Sequence, residues 1–365
     1  MMTPYEIANA FGQWQRSAID ESTAAMGRVV NFYSLWERAR TVQKGISPSE
    51  VVYEEDRLKL LHYLSDKPPR YRTPLVFVYA LVNRPYILDL KAGRSVVASF
   101  VRAGFDTYLV DWGIPTSADR HLTLDDYING YVTNVLDFLQ ERTATEQTSV
   151  LGYCMGGTMS TMFTALHPQR VKNLILLAAP IDFATRDGLL NVWTQPEYFD
   201  VDKFVDAFGN CPADFLQTTF QMLRPMGNWI EKPLNFYENM HDERFLEDFI
   251  ATETWLRDNI PVPGEVYREF VKYLYQKNLL TQNRMPVGKR IVDLRKILCP
   301  LLNITAEKDD LVPPSQSLVV NDLVSSKDRR TLSLKGSGHI GLAIGSRAQK
   351  EIWPAASAWL ADRST

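Results

Sequence analysis

Cysteine is scarce in this chain. Cys154, Cys211 and Cys299 make three, an odd number without paired spacing, which excludes a disulfide framework and points to a reducing, cytoplasmic setting. No uninterrupted apolar run reaches membrane-spanning length, so no transmembrane helix is expected. Residues 1–15 lack a basic region followed by an apolar core, so no secretory signal is expected there. Basic excess is also missing: a net charge of −3 and a pI near 6.0 leave no electrostatic footprint for nucleic acid or an anionic membrane. There is no dinucleotide fingerprint and no metal-ligand constellation, so neither a bound cofactor nor a metal is expected. Internal repeats and low-complexity tracts are absent.

What remains is an ordinary globular composition with ample apolar residues for a sizeable core. Residues 1–49 are polar with scattered aromatics (Phe11, Trp14, Phe32, Tyr33, Trp36), a pattern that predicts a short N-terminal helical segment. From residue 50 the texture changes. Short apolar or β-branched runs at 75–80, 107–111, 149–151, 174–178, 301–305 and 331–334 are separated by stretches long enough for crossover helices. That spacing predicts an α/β fold whose central sheet is mostly parallel and covered on both faces. Residues 185–296 read differently, rich in large aromatics such as Trp193, Phe215, Trp229, Tyr267 and Tyr275 and without a clear alternating strand. They are expected to form a helical cap inserted between two parts of the core, 50–184 and 297–365.

One cysteine has an unusual frame. Cys154 lies in Leu151-Gly152-Tyr153-Cys154-Met155-Gly156-Gly157, after an apolar run and before a helix-like stretch. A strand that turns abruptly into a helix holds its central residue in a strained conformation, and side chains at the neighbouring positions would collide. Glycines relieve the crowding, and the helix directs free N–H groups and its positive dipole end at the sulfur. An isolated cysteine between apolar residues is ordinarily a small core residue; the glycine frame makes Cys154 a candidate nucleophile. Cys211 and Cys299 merely precede prolines and are assigned to packing.

A cysteine nucleophile needs a base and a group that orients it. Of five histidines, His62 falls in a charged early strand, His121 in a loop, His167 before a proline at a helix end and His241 beside acidic residues, all consistent with surface or capping roles. His339 sits in the glycine-rich loop Gly336-Ser337-Gly338-His339-Ile340-Gly341 after the last strand, and completes the chain order nucleophile, acid, histidine. The acid is expected after the penultimate strand, where Asp309 and Asp310 both satisfy the order, one orienting His339 and the other capping the turn before Pro313. For an oxyanion hole, the backbone N–H of Met155 is the first donor; the second falls to Leu81 or Val82, with Val82 taken.

Tyr79-Ala80-Leu81-Val82-Asn83-Arg84-Pro85-Tyr86, Asp111-Trp112-Gly113, Leu124-Asp125-Asp126-Tyr127-Ile128-Asn129-Gly130-Tyr131, the cysteine box, Asp309-Asp310-Leu311-Val312-Pro313-Pro314 and Gly338-His339-Ile340-Gly341 occur in this order. Together they make residues 51–360 similar to the catalytic subunit of polyhydroxyalkanoate synthases, of the short class III or class IV type. The resemblance implies an α/β-hydrolase fold, an acyltransferase and a Cys154-His339-Asp309 triad. It also implies a substrate, (R)-3-hydroxyacyl coenzyme A, with 3-hydroxybutyryl coenzyme A the first choice; coenzyme A is then part of the substrate and a product rather than a cofactor. It further implies an accessory subunit of the PhaE or PhaR type, a homodimer and association with polymer granules. Two rivals stand beside it: a cysteine hydrolase of the dienelactone-type esterase kind, which would release free acid, and a non-catalytic homologue, which would have a broken triad.

Overall fold

The computed structural model describes residues 44–364. Residues 1–43 of the expected N-terminal helical segment lie outside the described residues; its last part is not helical, because Ser49 already opens a strand whose Val51, Val52 and Tyr53 favour extended pairing. Residues 44–224 with 255–364 form one compact unit, and residues 225–254 belong to another.

The first unit is built on an eight-stranded sheet. Its strands are β1 (Ser49–Glu55), β2 (Leu58–Tyr63), β3 (Leu75–Val78), β4 (Thr107–Asp111), β5 (Thr148–Tyr153), β6 (Val171–Leu177), β7 (Leu301–Ala306) and β8 (Arg329–Leu334). They lie in the order β1-β2-β4-β3-β5-β6-β7-β8. The pairs β1–β2 and β2–β4 are antiparallel and every other pair is parallel. Burial explains the sequence texture. β3, β5 and β7 are buried at every position, as expected of central parallel strands covered on both faces. The edge strands β1 and β8 are mostly exposed and carry Glu50, Glu54, Glu55, Arg329 and Arg330, charges that discourage further pairing.

Helices α1 (Val96–Ala103), α2 (Val132–Thr143), α3 (Met155–Leu166), α4 (His339–Ile344) and α5 (Trp353–Ala361) flank the sheet. The Ser95 hydroxyl caps α1 by accepting from Ala98 N (2.8 Å), and α1 packs against α5 with Phe100 and Trp353 edge to face at 6.1 Å. α3 is buried along its whole length. Its hydroxyls are satisfied locally: Ser160 donates to Gly156 O (2.7 Å), Thr161 to Gly157 O (2.8 Å) and Thr164 to Ser160 O (2.7 Å), while Thr158 reaches Pro180 O (2.7 Å).

Between β6 and β7 the first unit contains helices Leu189–Trp193, Val201–Phe208, Ala213–Met222 and Gly264–Glu269, followed by a π-helical stretch, Phe270–Gln276. Val201, Val205 and Val271 form a cluster there with Phe199, Phe204 and Tyr267. The segment is not free of strands, contrary to the reading of its sequence: Met285–Val287 and Arg290–Val292 pair as an antiparallel hairpin too short for alternation to show. Within residues 225–254, Met240, Leu246 and Ile250 make a separate apolar cluster with Phe236 and Phe245. Among the described residues, no helix is long and apolar enough to cross a membrane.

Candidate active site

Because β3, β5, β7 and β8 run in the same direction, the loops at their C-terminal ends converge. Val82 follows β3, Cys154 follows β5, Asp309 follows β7 and His339 follows β8. Four segments far apart in sequence therefore meet at one sheet edge, where ligands bind in open α/β sheets.

Cys154 occupies the junction of β5 and α3 at φ 54° and ψ −126°. This conformation costs a non-glycine residue about 1–3 kcal/mol, and persists because its surroundings over-determine it. Cys154 N donates to Leu177 O (2.9 Å), and its carbonyl accepts from Gly157 N (2.8 Å) and Thr158 N (3.2 Å). A Cβ at Gly156 would stand 2.2 Å from Val78 O, one at Gly152 2.5 Å from Gly157 Cα, and one at Gly157 2.5 Å from Ala179 Cβ. The box therefore needs glycine for close approach of β3, β5 and the segment after β6.

His339 is the first residue of α4. Its Nδ1–H donates to Asp309 Oδ2 (2.7 Å), which leaves Nε2 open to take a proton, and Cys154 lies near enough to act electrostatically on the ring. The imidazole stacks on Tyr153 at 5.1 Å and 18°, and the Tyr153 hydroxyl donates to the His339 carbonyl (3.2 Å). The Asp309 side chain is fully buried, and its other oxygen, Oδ1, accepts from Leu311 N (3.0 Å) and Val312 N (2.8 Å).

Asp309 thus both contacts His339 and caps the turn, a combination that corrects the expected division between the two aspartates. Asp310 points to the surface and pairs with Arg224 (3.1 Å) instead. Burial, the largest single influence on His339, favours the neutral ring. The Asp309 carboxylate and negative charge at Cys154 together outweigh it and push the pKa up to about 10.

Cys154 opens onto an apolar cavity of about 260 Å³. Met155 and Val82 border it, whereas Leu81, the alternative second donor, is buried and does not. As the first residue of α3, Met155 presents an N–H without an intrahelical partner. Trp193, Phe199, Phe215, Phe220 and Tyr275 supply much of the wall. Cys211 and Cys299 are elsewhere, and burial pushes both thiols up to about 12, which suits packing.

The other histidines also lie outside the cavity. His62 bonds Asp106 (2.8 Å), His121 ends a short 3₁₀ helix rather than lying in an irregular loop, His167 bonds Asn129 (2.8 Å) and His241 is exposed. Reading the sequence did not single out Tyr153. Its position directly before Cys154 was the available signal, but its stack on His339 joins residues 186 apart.

A sheet with this strand order, crossed by a nucleophile-elbow turn and an Asp–His pair beyond it, defines an α/β-hydrolase-fold enzyme. A family model of the alpha/beta hydrolase fold matches residues 73–345, and one for the poly-beta-hydroxybutyrate polymerase (PhaC) N-terminus matches residues 38–100. The chain is 43% identical over 354 residues to the poly(3-hydroxyalkanoate) polymerase subunit PhaC of Haloferax mediterranei, covering 96% of this chain and 70% of that protein. It is 42% identical over 327 residues to the subunit of the same name from Allochromatium vinosum, covering 89% and 91%. The chain belongs to the family of poly(3-hydroxyalkanoate) polymerase PhaC subunits, and is an enzyme with synthase activity. Among solved structures, an alpha/beta hydrolase fold protein from Nakamurella multipartita aligns with TM-score 0.50 and 17% identity over 86% of this chain and 99% of that one, a likeness of fold alone.

Proposed function

We propose that this protein polymerises (R)-3-hydroxyacyl coenzyme A, with 3-hydroxybutyryl coenzyme A the first choice, into polyhydroxyalkanoate through an acyl thioester on Cys154. The observation that carries this reading is the Asp309–His339 pair (2.7 Å) beside Cys154, whose side chain opens onto an apolar cavity, in a chain of the polymerase family.

In the loading step, His339 takes the Cys154 proton and Sγ attacks the thioester carbonyl. Met155 and Val82 N–H groups meet the developing oxyanion, and the coenzyme A sulfur leaves with the proton from His339. In the elongation step, His339 takes the proton of a hydroxyl on the growing chain or a second monomer. That oxygen attacks the Cys154 thioester, an ester forms, and the thiol returns. Asp309 orients the imidazole and stabilises its charged form throughout. Thiolate–thioester exchange is nearly balanced, so sulfur can accept and release the acyl group without a deep trap.

The same reading places the chain in the cytoplasm at the polymer granule, as a homodimer assisted by an accessory subunit. Support comes from the relatives being named as subunits and from the exposed apolar side chains Met226, Trp229, Ile230 and Leu234.

The test incubates purified protein with 3-hydroxybutyryl coenzyme A and follows thiol release and polymer together. Wild type should yield both, and Cys154→Ala neither. Cys211→Ala and Cys299→Ala should retain most activity. Free 3-hydroxybutyrate without polymer would support a cysteine hydrolase instead.

A further inference from the structure

The cavity beside Cys154 contains few polar side chains, and most of them are already committed. Thr194 donates to Leu190 O (2.6 Å) and Thr219 to Phe215 O (2.8 Å), so both hydroxyls are spent on helix carbonyls. The Tyr267 hydroxyl lies beside Cys211, whose charge acts on it. Tyr275 differs: its hydroxyl has no hydrogen-bond partner among the described residues, although the residue lines the cavity.

The ring is held in place by Phe183, edge-on at 4.7 Å, and by Phe270 at 6.0 Å. It projects from the π-helical stretch Phe270–Gln276, whose Phe270 and Val271 also line the cavity. Such widened turns recur where a helix re-aims side chains at a functional site. A hydroxyl that opens onto an apolar cavity and has no protein partner is left to bond whatever enters, and a ligand with a matching polar group can take that bond.

We infer that the Tyr275 hydroxyl recognises the 3-hydroxyl of the acyl group loaded on Cys154, and so selects 3-hydroxyacyl over plain acyl thioesters. The assignment rests on the acyl-enzyme reading above. Beyond its thioester, a 3-hydroxyacyl group brings one polar group into the cavity, its hydroxyl. That oxygen can accept from Tyr275 while its own O–H remains available to His339, so recognition and later deprotonation are compatible.

Burial, reinforced by negative charge at Cys154, raises the Tyr275 pKa and keeps the phenol a neutral donor. The indole of Trp193 also lines the cavity, but can only donate, whereas a phenol can pair with a hydroxyl in either direction.

The test compares single-turnover acylation of Cys154 by 3-hydroxybutyryl coenzyme A and by butyryl coenzyme A, reading coenzyme A release and the adduct mass on the intact protein. Wild type should prefer the hydroxylated thioester, and Tyr275→Phe should reduce that preference by roughly 10- to 100-fold. The reduction should come from the hydroxylated substrate alone, since butyryl has no such bond to lose. Iodoacetamide should alkylate Cys154 at the wild-type rate in Tyr275→Phe, showing an intact site. An equal loss on both thioesters, or on neither, overturns the assignment and leaves the Cys154 reading standing. Collapse of the preference in Trp193→Phe but not in Tyr275→Phe overturns it as well. If the wild-type protein forms no adduct on Cys154 with either thioester, the acyl-enzyme reading and this assignment fall together.

Discussion

The two oxygens of Asp309 serve different partners: Oδ2 holds the His339 ring, and Oδ1 holds the Leu311 and Val312 amides. Asn at position 309 can keep an acceptor for the amides but loses the charge that favours the imidazolium. We expect Asp309→Asn to remain folded and to lose turnover by about 10³-fold or more, measured as thiol release. Asp310→Asn should change stability by no more than about 1 kcal/mol, since its pairing with Arg224 is half exposed. Position alone could not separate these neighbours, because the backbone of the loop decides which carboxyl turns inward.

His339 offers a pH test at the same scale. Its folded pKa is raised, so its contribution to stability is complete below the ordinary value of about 6.5 and is lost as pH climbs toward about 10. Cys154→Ala removes one of the two negative neighbours and should move the midpoint down, as read by NMR titration of the imidazole. An unmoved midpoint would separate the sulfur from the ring electrostatically.

Among the elements, the turn from β5 into α3 is the most tightly constrained. A methyl at Gly156 would meet backbone atoms of Val78 and Tyr79, which cannot swing aside as a flexible side chain can. Gly156→Ala should therefore destabilise by about 3 kcal/mol or more, or prevent folding, as measured by denaturant unfolding. This junction was legible in the sequence because its constraint is local. Six strands were legible for the same kind of reason: β3, β5 and β7, buried along their whole length, and the other three each gave a short apolar or β-branched run. The hairpin at Met285–Val287 was not, since three residues are too few to show a period. The stack of Tyr153 on His339 and the isolation of the Tyr275 hydroxyl depend on contacts that only the assembled fold creates.

At the level of the whole molecule, an accessory protein should raise specific activity and shorten the lag before polymer appears. The exposed apolar side chains at 226, 229, 230 and 234 supply surface that a partner could cover, and such patches favour association. Activity assays with and without a co-expressed cognate partner check this, and full activity without lag in the isolated chain would sink it. The sheet itself has another bearing on integrity. The nucleophile precedes the long segment between β6 and β7, and the acid and base follow it. The two portions nevertheless lie side by side, zipped by parallel pairing from Leu174 with Leu301 to Leu177 with Ile304. Covalent continuity through that segment is thus a different matter from cohesion of the triad: were the backbone cut there, hydrogen bonds between neighbouring strands would still hold sulfur, imidazole and carboxylate in one particle.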